Sequence, residues 1–587
     1  MSKTRVPKYV PIVVLSVSIL LLFVRCFYSF SWLDESFYLT LVNRLYIGEK
    51  MFVDEWYTTQ LSAPLLLPFY AAYMCLMGGT EGIYLYFRIL YLILSSITAI
   101  YAYKSLSKSF SSGIALICSL MYLFYSRANI GGMSYYNVTL TFVLLACLVL
   151  AEVVKSENIT GRIKFRLILS GIFIAIAVIN TPYLLIPYII LVIVMLLMKK
   201  RKYYGKMILF SILGSMIVAI GYFVYIFGHV SLNEIIANVP HILNEPELQK
   251  TNPVLAIPLI FIRIAWRFKF TIPFTFLIVV FEFLKRLKSS ILDKVNVDKL
   301  NKIEPYVNAA IFVVNLVLAK DMIGCVNIAL FIYALPYFVR LTFDKNKKID
   351  NTFIIMFIGG ACLSLAFGFS SDTGLDAMSI GFVLIGMMSG LFLMENDVIS
   401  NLKLDKILGA CVIILSLSLT AVLRLFSIYR DAPINNLDTQ ITKGPGKWLI
   451  TTAKNAEDCE NLYEDITANV RPEDTVMYSQ IGFWCYLCTD NHYATPSSWR
   501  LPLNSPRIEE YFNSDTGNGA ERKLPSCVFV IDEKYGAFES SLILSNEKAD
   551  TPNSNELEGY LYDYLIENGY EKKDVKSGVI YLANQPN

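Results

Sequence analysis

The chain has 587 residues, 55% of them hydrophobic and 17% charged, with a mean hydropathy of +0.51. Soluble domains carry roughly 25% charged residues, and the apolar excess here falls in blocks of about 15–25 residues, the length that crosses a hydrocarbon core. The composition excludes a soluble enzyme, and a net charge of +3 gives no reason to expect a nucleic-acid partner.

The N-terminal Lys3, Arg5 and Lys8 precede an apolar run from Tyr9 to Phe30. That run is too long for a signal peptide and no small-residue cleavage site follows it, so a retained first helix is expected. The length rule gives about thirteen spanning helices, near 9–30, 82–103, 112–127, 136–154, 166–181, 183–198, 207–228, 266–284, 305–320, 323–340, 352–369, 378–394 and 406–427. With the N-terminus inside, the clusters at Lys104 and Lys108, Lys155 to Arg166, Lys199 to Lys202, Lys285 to Lys288, Arg340 to Lys348, and Lys403 with Lys406 all fall on the cytoplasmic side, as the positive-inside bias requires. The apolar stretch from Ala63 to Gly78 must then be left out. Its sixteen residues and two prolines suit a helix lying in the membrane interface.

Residues 31–81 thus form one external loop, entered through "SWLDESFYLT" at 31–40. Phe37, Tyr38, Leu41, Val42 and Leu45 recur at helical spacing, so Asp34 to Tyr46 reads as an amphipathic interfacial helix stopped at Gly48. A transmembrane domain covers 1–428, and from 429 to 587 the composition turns polar. Helical patterns at 455–469 and 557–568 alternate there with β-like runs at 475–480, 527–532 and 578–583, which predicts a small extracytoplasmic α/β domain. It holds Cys459, Cys485, Cys488 and Cys527, for which three disulfide pairings are open. Trp484, Tyr486 and Trp499 are candidates for stacking on sugars.

Polar residues collect on the outer side, close to the membrane: Asp34 and Glu35, then Asp54, Glu55 and Gln60, then Arg127 and Asn137, then the external histidines His229 and His241, and finally Arg263 and Arg267, which share a helical face. A cavity with an apolar floor and this polar roof suits a substrate with a lipid tail and a phosphate head. Phosphate is a good leaving group, so the protein need supply only cations for the departing charge and a base for the attacking hydroxyl. A carboxylate at the water–membrane boundary suits the base. His229 and His241 are the candidates should a divalent metal take part.

The stretch "WLDESFYLTLVNRLYIGEKMFVDEWYTTQLSAPLLLPFY" at 32–70, with "SGIFIAIAVINTPYLLIPYIILV" at 170–192, resembles the membrane-integral glycosyltransferases of the GT-C superfamily. The subgroup is the one containing protein O-mannosyltransferases and aminoarabinose transferases. Relatives often carry Glu-Lys-Pro-Pro before the second interfacial helix, where this chain has Gln60-Leu-Ser-Ala-Pro64. The resemblance implies inverting transfer of a sugar from a polyprenyl-phosphate donor to a glycan, lipid or protein hydroxyl on the outer face of the plasma membrane, with Asp34 as base and Glu35 beside it. A bacterial envelope is the expected setting. Two other classes stay open: a transporter or flippase of lipid-linked saccharides, which internal repeats and midplane charges would mark, and a non-catalytic glycan-binding membrane protein.

Overall fold

A computed structural model describes residues 7, 9–156, 158–198, 201–244, 253–286, 297–319, 323–342, 349–370, 374–395, 403–479, 481–499, 501–532, 534–535, 539–542, 545–548 and 557–584. The protein is a polytopic helical membrane protein. Ten helices among the described residues are long and apolar enough to cross a bilayer, and a further pair, Phe261–Arg267 and Ile272–Lys285, passes the same test as one span bent by 112°.

The expected list of spans differs at four places. Helices Ser112–Leu123 and Leu185–Leu197 have only 12 and 13 residues, short of the ~20 that a straight crossing needs. Val297–Leu318 is long enough, but its first two turns carry Asp298, Lys299, Lys302 and Glu304, and it is not among the ten. The stretch expected to lie in the interface is longer than its apolar run. The 3₁₀ turn Thr58–Ser62 leads into the helix Ala63–Met77, so that Thr58–Met77 reaches 20 residues and joins the ten. Pro64 sits in the first turn, where its missing N–H costs nothing.

Helix α1 (Tyr9–Cys26) leads through a short turn into α2 (Asp34–Tyr46), then α3 (Ala63–Met77) and α4 (Ile83–Leu106). The chain leaves α2 at Gly48, whose φ of +89° is left-handed and strained for any side chain. Every residue of α2 from Glu35 to Arg44 is buried. An interfacial helix would leave one face to water; here α3 and the C-terminal region cover it.

The rest of the bundle follows as α5 (Ser112–Leu123), α6 (Tyr135–Val154), α7 (Gly161–Asn180), α8 (Leu185–Leu197), α9 (Arg201–His229), α10 (Leu232–Leu243), α11 (Pro253–Arg267), α12 (Ile272–Arg286), α13 (Val297–Leu318), α14 (Ile323–Thr342), α15 (Asn351–Ser370), α16 (Phe382–Glu395) and α17 (Lys403–Phe426). Helices α7 and α9 approach backbone to backbone. A Cβ on Gly171 would lie 1.8 Å from the Ser211 carbonyl oxygen, and one on Gly214 would lie 1.9 Å from that of Ile168.

The polar region carries a five-stranded sheet in the order β2-β1-β3-β5-β4, formed by β1 (Thr475–Tyr478), β2 (His492–Tyr493), β3 (Cys527–Ile531), β4 (Glu571–Val575) and β5 (Gly578–Leu582). Strands β2, β1 and β3 are parallel, while β4 and β5 form a hairpin whose β5 runs antiparallel to β3 with Tyr581 opposite Val528. Alternation sorts the side chains between two cores. Val476, Tyr478, Cys527, Phe529 and Ile531 join the core shared with α2 and the membrane helices. Met477, Val528 and Tyr581 face Leu561 and Leu565 of the helix Tyr560–Glu567.

Two expectations for this region are corrected. Cys459, Cys485, Cys488 and Cys527 are free thiols buried separately in the core, with no disulfide. Trp484 and Tyr486 are buried at 1% and 4% exposure and offer no face to a sugar; Trp484 packs edge-on against Phe30 and Trp32.

Candidate functional site at the base of the first loop

Asp34 is the first residue of α2 and stays one-fifth exposed. Its carboxylate faces the Arg430 guanidinium at 2.9 Å. Arg430 has a φ of +54°, a conformation that costs a non-glycine residue of order 1–3 kcal/mol, and that turn brings the polar region back over the helix start. Tyr429, one residue earlier, is half-buried, and desolvation together with the Asp34 carboxylate pushes its phenol well above the usual range.

Glu35 points the other way, into the bundle. It is 2% exposed, and Arg88 of α4 holds it with both nitrogens of its fork, Nε to Oε1 at 2.6 Å and Nη2 to Oε2. The same guanidinium donates to the carbonyls of Cys26, Tyr28 and Ser29 at 2.8, 3.1 and 3.0 Å. Arg88 thereby clamps the end of α1 to the start of α2, and with them the position of Asp34.

Two further arginines close on this point. Arg25, in the last turn of α1, donates to the carbonyls of Tyr28 and Ser427 at 2.8 and 3.2 Å. Arg424, in the last turn of α17, donates to the Asn129 backbone carbonyl and side-chain oxygen at 3.0 and 2.5 Å. With Ser31, Glu35, Arg88 and Tyr429 they line a narrow cavity of about 20 Å³, room for about one water molecule as the side chains stand. Three guanidiniums face one lining carboxylate there. The Nε atoms of Arg25 and Arg424 and the hydroxyl of Ser31 are buried without a hydrogen-bond partner among the described residues. Asp431, also near Arg88, is occupied by the Phe30 N–H and the Thr451 hydroxyl at 2.9 and 2.7 Å. Buried donors in positive excess are a place for an anion or for water.

A second narrow pocket lies across the turn Arg127–Asn129 and is lined by Arg127, Asn129, Asp376 and Leu423. Arg127 lies over the Tyr136 ring at 3.9 Å and pairs with Asp376 at 2.8 Å. Arg263 reaches the same 374–378 turn, with Nη1 3.8 Å from the Met378 sulfur. Arg267 is half-buried one helical turn further on.

The other expected ligands are engaged in holding the loop. Glu55 accepts from Arg44 at 2.8 Å and from the Ser498 N–H and hydroxyl at 2.9 Å. Asp54 accepts from the Lys50 N–H at 2.6 Å. Gln60 accepts from the Phe52 N–H at 2.7 Å and donates to the Glu55 carbonyl at 2.8 Å. Asn137 donates to the carbonyls of Ile130 and Gly132, each at 2.9 Å, and so shapes the turn below Arg127.

The two histidines are apart. His229 is exposed at the end of α9, with Nδ1 2.7 Å from the Tyr225 carbonyl. His241 stacks on Trp56 at 4.5 Å and meets Glu510 at 2.5 Å. Among the described residues no three His, Cys, Asp or Glu side chains are grouped to hold a metal.

Sequence reasoning placed the 370–376 segment, and with it Asp376, on the outer side, but missed Arg25, Arg88, Arg424, Arg430 and Tyr429 as site residues. A signal existed for the first three, because an arginine within an apolar helix marks a functional site by default. No family model matches the chain, and no curated protein matches it.

Proposed function

We propose that this protein is a membrane glycosyltransferase of the GT-C type. It moves a sugar from a polyprenyl-phosphate carrier to an acceptor hydroxyl at the outer face of the plasma membrane. The observation that carries the reading is the placement of Asp34, a one-fifth exposed carboxylate, next in the chain to Glu35 of a buried arginine cluster with unused donors. Asp34 takes the proton of the acceptor hydroxyl, the oxygen bonds to the anomeric carbon with inversion, and the carbon–oxygen bond to phosphate breaks. The departing phosphate gains charge, and Arg25, Arg88 and Arg424 stabilise it in a site from which water is largely excluded. Glu35 is a positioning residue in this scheme, because Arg88 occupies both of its oxygens.

The topology that goes with this reading has thirteen crossings. Nine of the ten long helices, the bent pair, the two short apolar helices and α13 span the bilayer, while Thr58–Met77 lies at the interface against the covering region. The N-terminus is then cytoplasmic and the sheet region extracytoplasmic, above Asp34.

The test is Asp34→Asn in the purified full-length protein, assayed against a panel of polyprenyl-phosphate monosaccharides. Transfer is expected to fall by roughly 10²–10⁴-fold with carrier binding retained. Unaltered transfer by the variant sinks the assignment of the base.

A further inference from the structure

A second polar pocket lies at the opposite end of the helices, where the basic loops gather. Lys108, Lys155, Arg162 and Arg166 line it with a single carboxylate, Glu152, and its volume is about 660 Å³. Lys108 and Arg166 both pair with Glu152, at 2.6 and 2.9 Å, and Lys155 pairs with Asp350 at 3.2 Å. Arg162 is exposed and has no ion-pair partner among the described residues. Cations outnumber acids, and one is uncommitted.

Beside this pocket runs an apolar groove of about 420 Å³ between α6, α7, α8 and α15, lined by Cys147, Leu150, Leu167, Tyr188, Ile355 and Ile358 among others. The two are in register along shared helices. Ile163 of α7 lines the pocket and Leu167, four residues on, lines the groove; Thr352 of α15 lines the pocket and Ile355, three residues on, lines the groove. Residues three and four apart share a helix face, so on α7 and α15 the groove follows the pocket by one turn, about 5.4 Å, while on α6 Val154 of the groove stands next to Lys155 of the pocket. Its outer wall is α8, which exposes Ile186, Ile189, Ile190 and Ile193 on its other sides and so stands at the edge of the bundle.

We propose that this pocket and groove bind an anionic phospholipid of the leaflet that contacts the basic loops. Its phosphate sits between Arg162 and Lys155, and an acyl chain lies in the groove against α15. A soluble anion would use the head pocket alone and an uncharged lipid the groove alone, whereas a basic pocket one turn from an apolar channel fits a single molecule with both parts. The site is independent of the proposed chemistry at Asp34, which lies at the other end of the bundle.

Delipidated full-length protein in neutral detergent provides the test, with retention of added phosphatidylglycerol or phosphatidylcholine read by native mass spectrometry. Phosphatidylglycerol is expected to bind about tenfold more tightly than phosphatidylcholine. Lys155→Gln with Arg162→Gln changes exposed side chains and should abolish that preference while leaving phosphatidylcholine binding unchanged. Ile358→Trp, which fills the groove, should weaken both lipids. Equal affinity for the two lipids in the unaltered protein overturns the proposal, as does phosphatidylglycerol binding that survives both variants. Displacement of the lipid by millimolar inorganic phosphate assigns the pocket to a soluble anion instead.

Discussion

The ion pair between Glu35 and Arg88 allows the sharpest test of how the site is held. Their side chains are 3% and 4% exposed, so neither charge has water to fall back on. Arg88→Met leaves a buried carboxylate and removes donors from the carbonyls of Cys26, Tyr28 and Ser29. Breaking a buried pair from one side costs about 3–5 kcal/mol, and Arg88→Met is expected at the top of that range because those acceptors are stranded too. Glu35→Leu strands only the guanidinium, which keeps its three carbonyls, and is expected near the bottom. The double variant removes both charges and should cost less than the sum of the singles by about 2–3 kcal/mol. Denaturant unfolding of the full-length protein, followed by the fluorescence of Trp32 and Trp484, measures all three. These rings meet at 5.5 Å beside the site and report its opening. Single-variant costs below about 1 kcal/mol, or a double variant equal to the sum of the singles, would refute the claim that this pair fixes the start of α2.

Three further outcomes are expected. Burial alone would push the Glu49 carboxyl up, but Arg44, with His492 and Lys523, holds it at about 2. A depressed carboxyl stabilises above its unfolded value and loses that contribution as pH falls, so the contact between the first loop and the sheet should weaken from about pH 4.5 to 2 by about 3 kcal/mol. Limited proteolysis across that range measures it, and Glu49→Gln should flatten the acid limb. Cys459, Cys485, Cys488 and Cys527 should remain thiols even after exposure to air: non-reducing electrophoresis should show no mobility change on adding reductant, and a maleimide should label them only after unfolding, since burial pushes the Cys527 thiol up to about 12. Under the proposed chemistry, Arg424→Gln should lower affinity for a polyprenyl-phosphate sugar by about tenfold or more, measured by binding to the intact protein; unchanged affinity removes Arg424 from the phosphate site.

The helix carrying Asp34 was legible from spacing, down to its end at Tyr46 before Gly48. Its environment was not, for a physical reason. Periodicity identifies which face of a helix is apolar, and on that evidence Asn43 and Arg44 belong to water. Both are buried because partners far along the chain satisfy them: Asn43 donates to Tyr486 and Tyr493 at 3.1 and 2.7 Å, and Arg44 is enclosed by Glu49, Glu55 and the Thr495 carbonyl. The same pairing explains why Glu55 and Gln60, whose polarity fitted a ligand site, turn out to serve the backbone. A polar residue near a membrane is ambiguous until its partner is known, and the partner here lies more than four hundred residues away.

The arginines inside apolar helices obey the opposite logic. Burying a guanidinium is costly enough that Arg25, Arg88 and Arg424 demand acceptors wherever the fold places them, so their sequence context alone announces a polar centre. What the sequence withholds is their convergence, since they come from the first turns of α4 and the last turns of α1 and α17. Only Arg88 finds a carboxylate. Arg25 and Arg424 are left with backbone and amide oxygens and an idle Nε each. Two buried positive charges without an acid are what the proposed chemistry asks of a site for a departing phosphate, and that surplus is the feature the Arg424→Gln binding measurement tests.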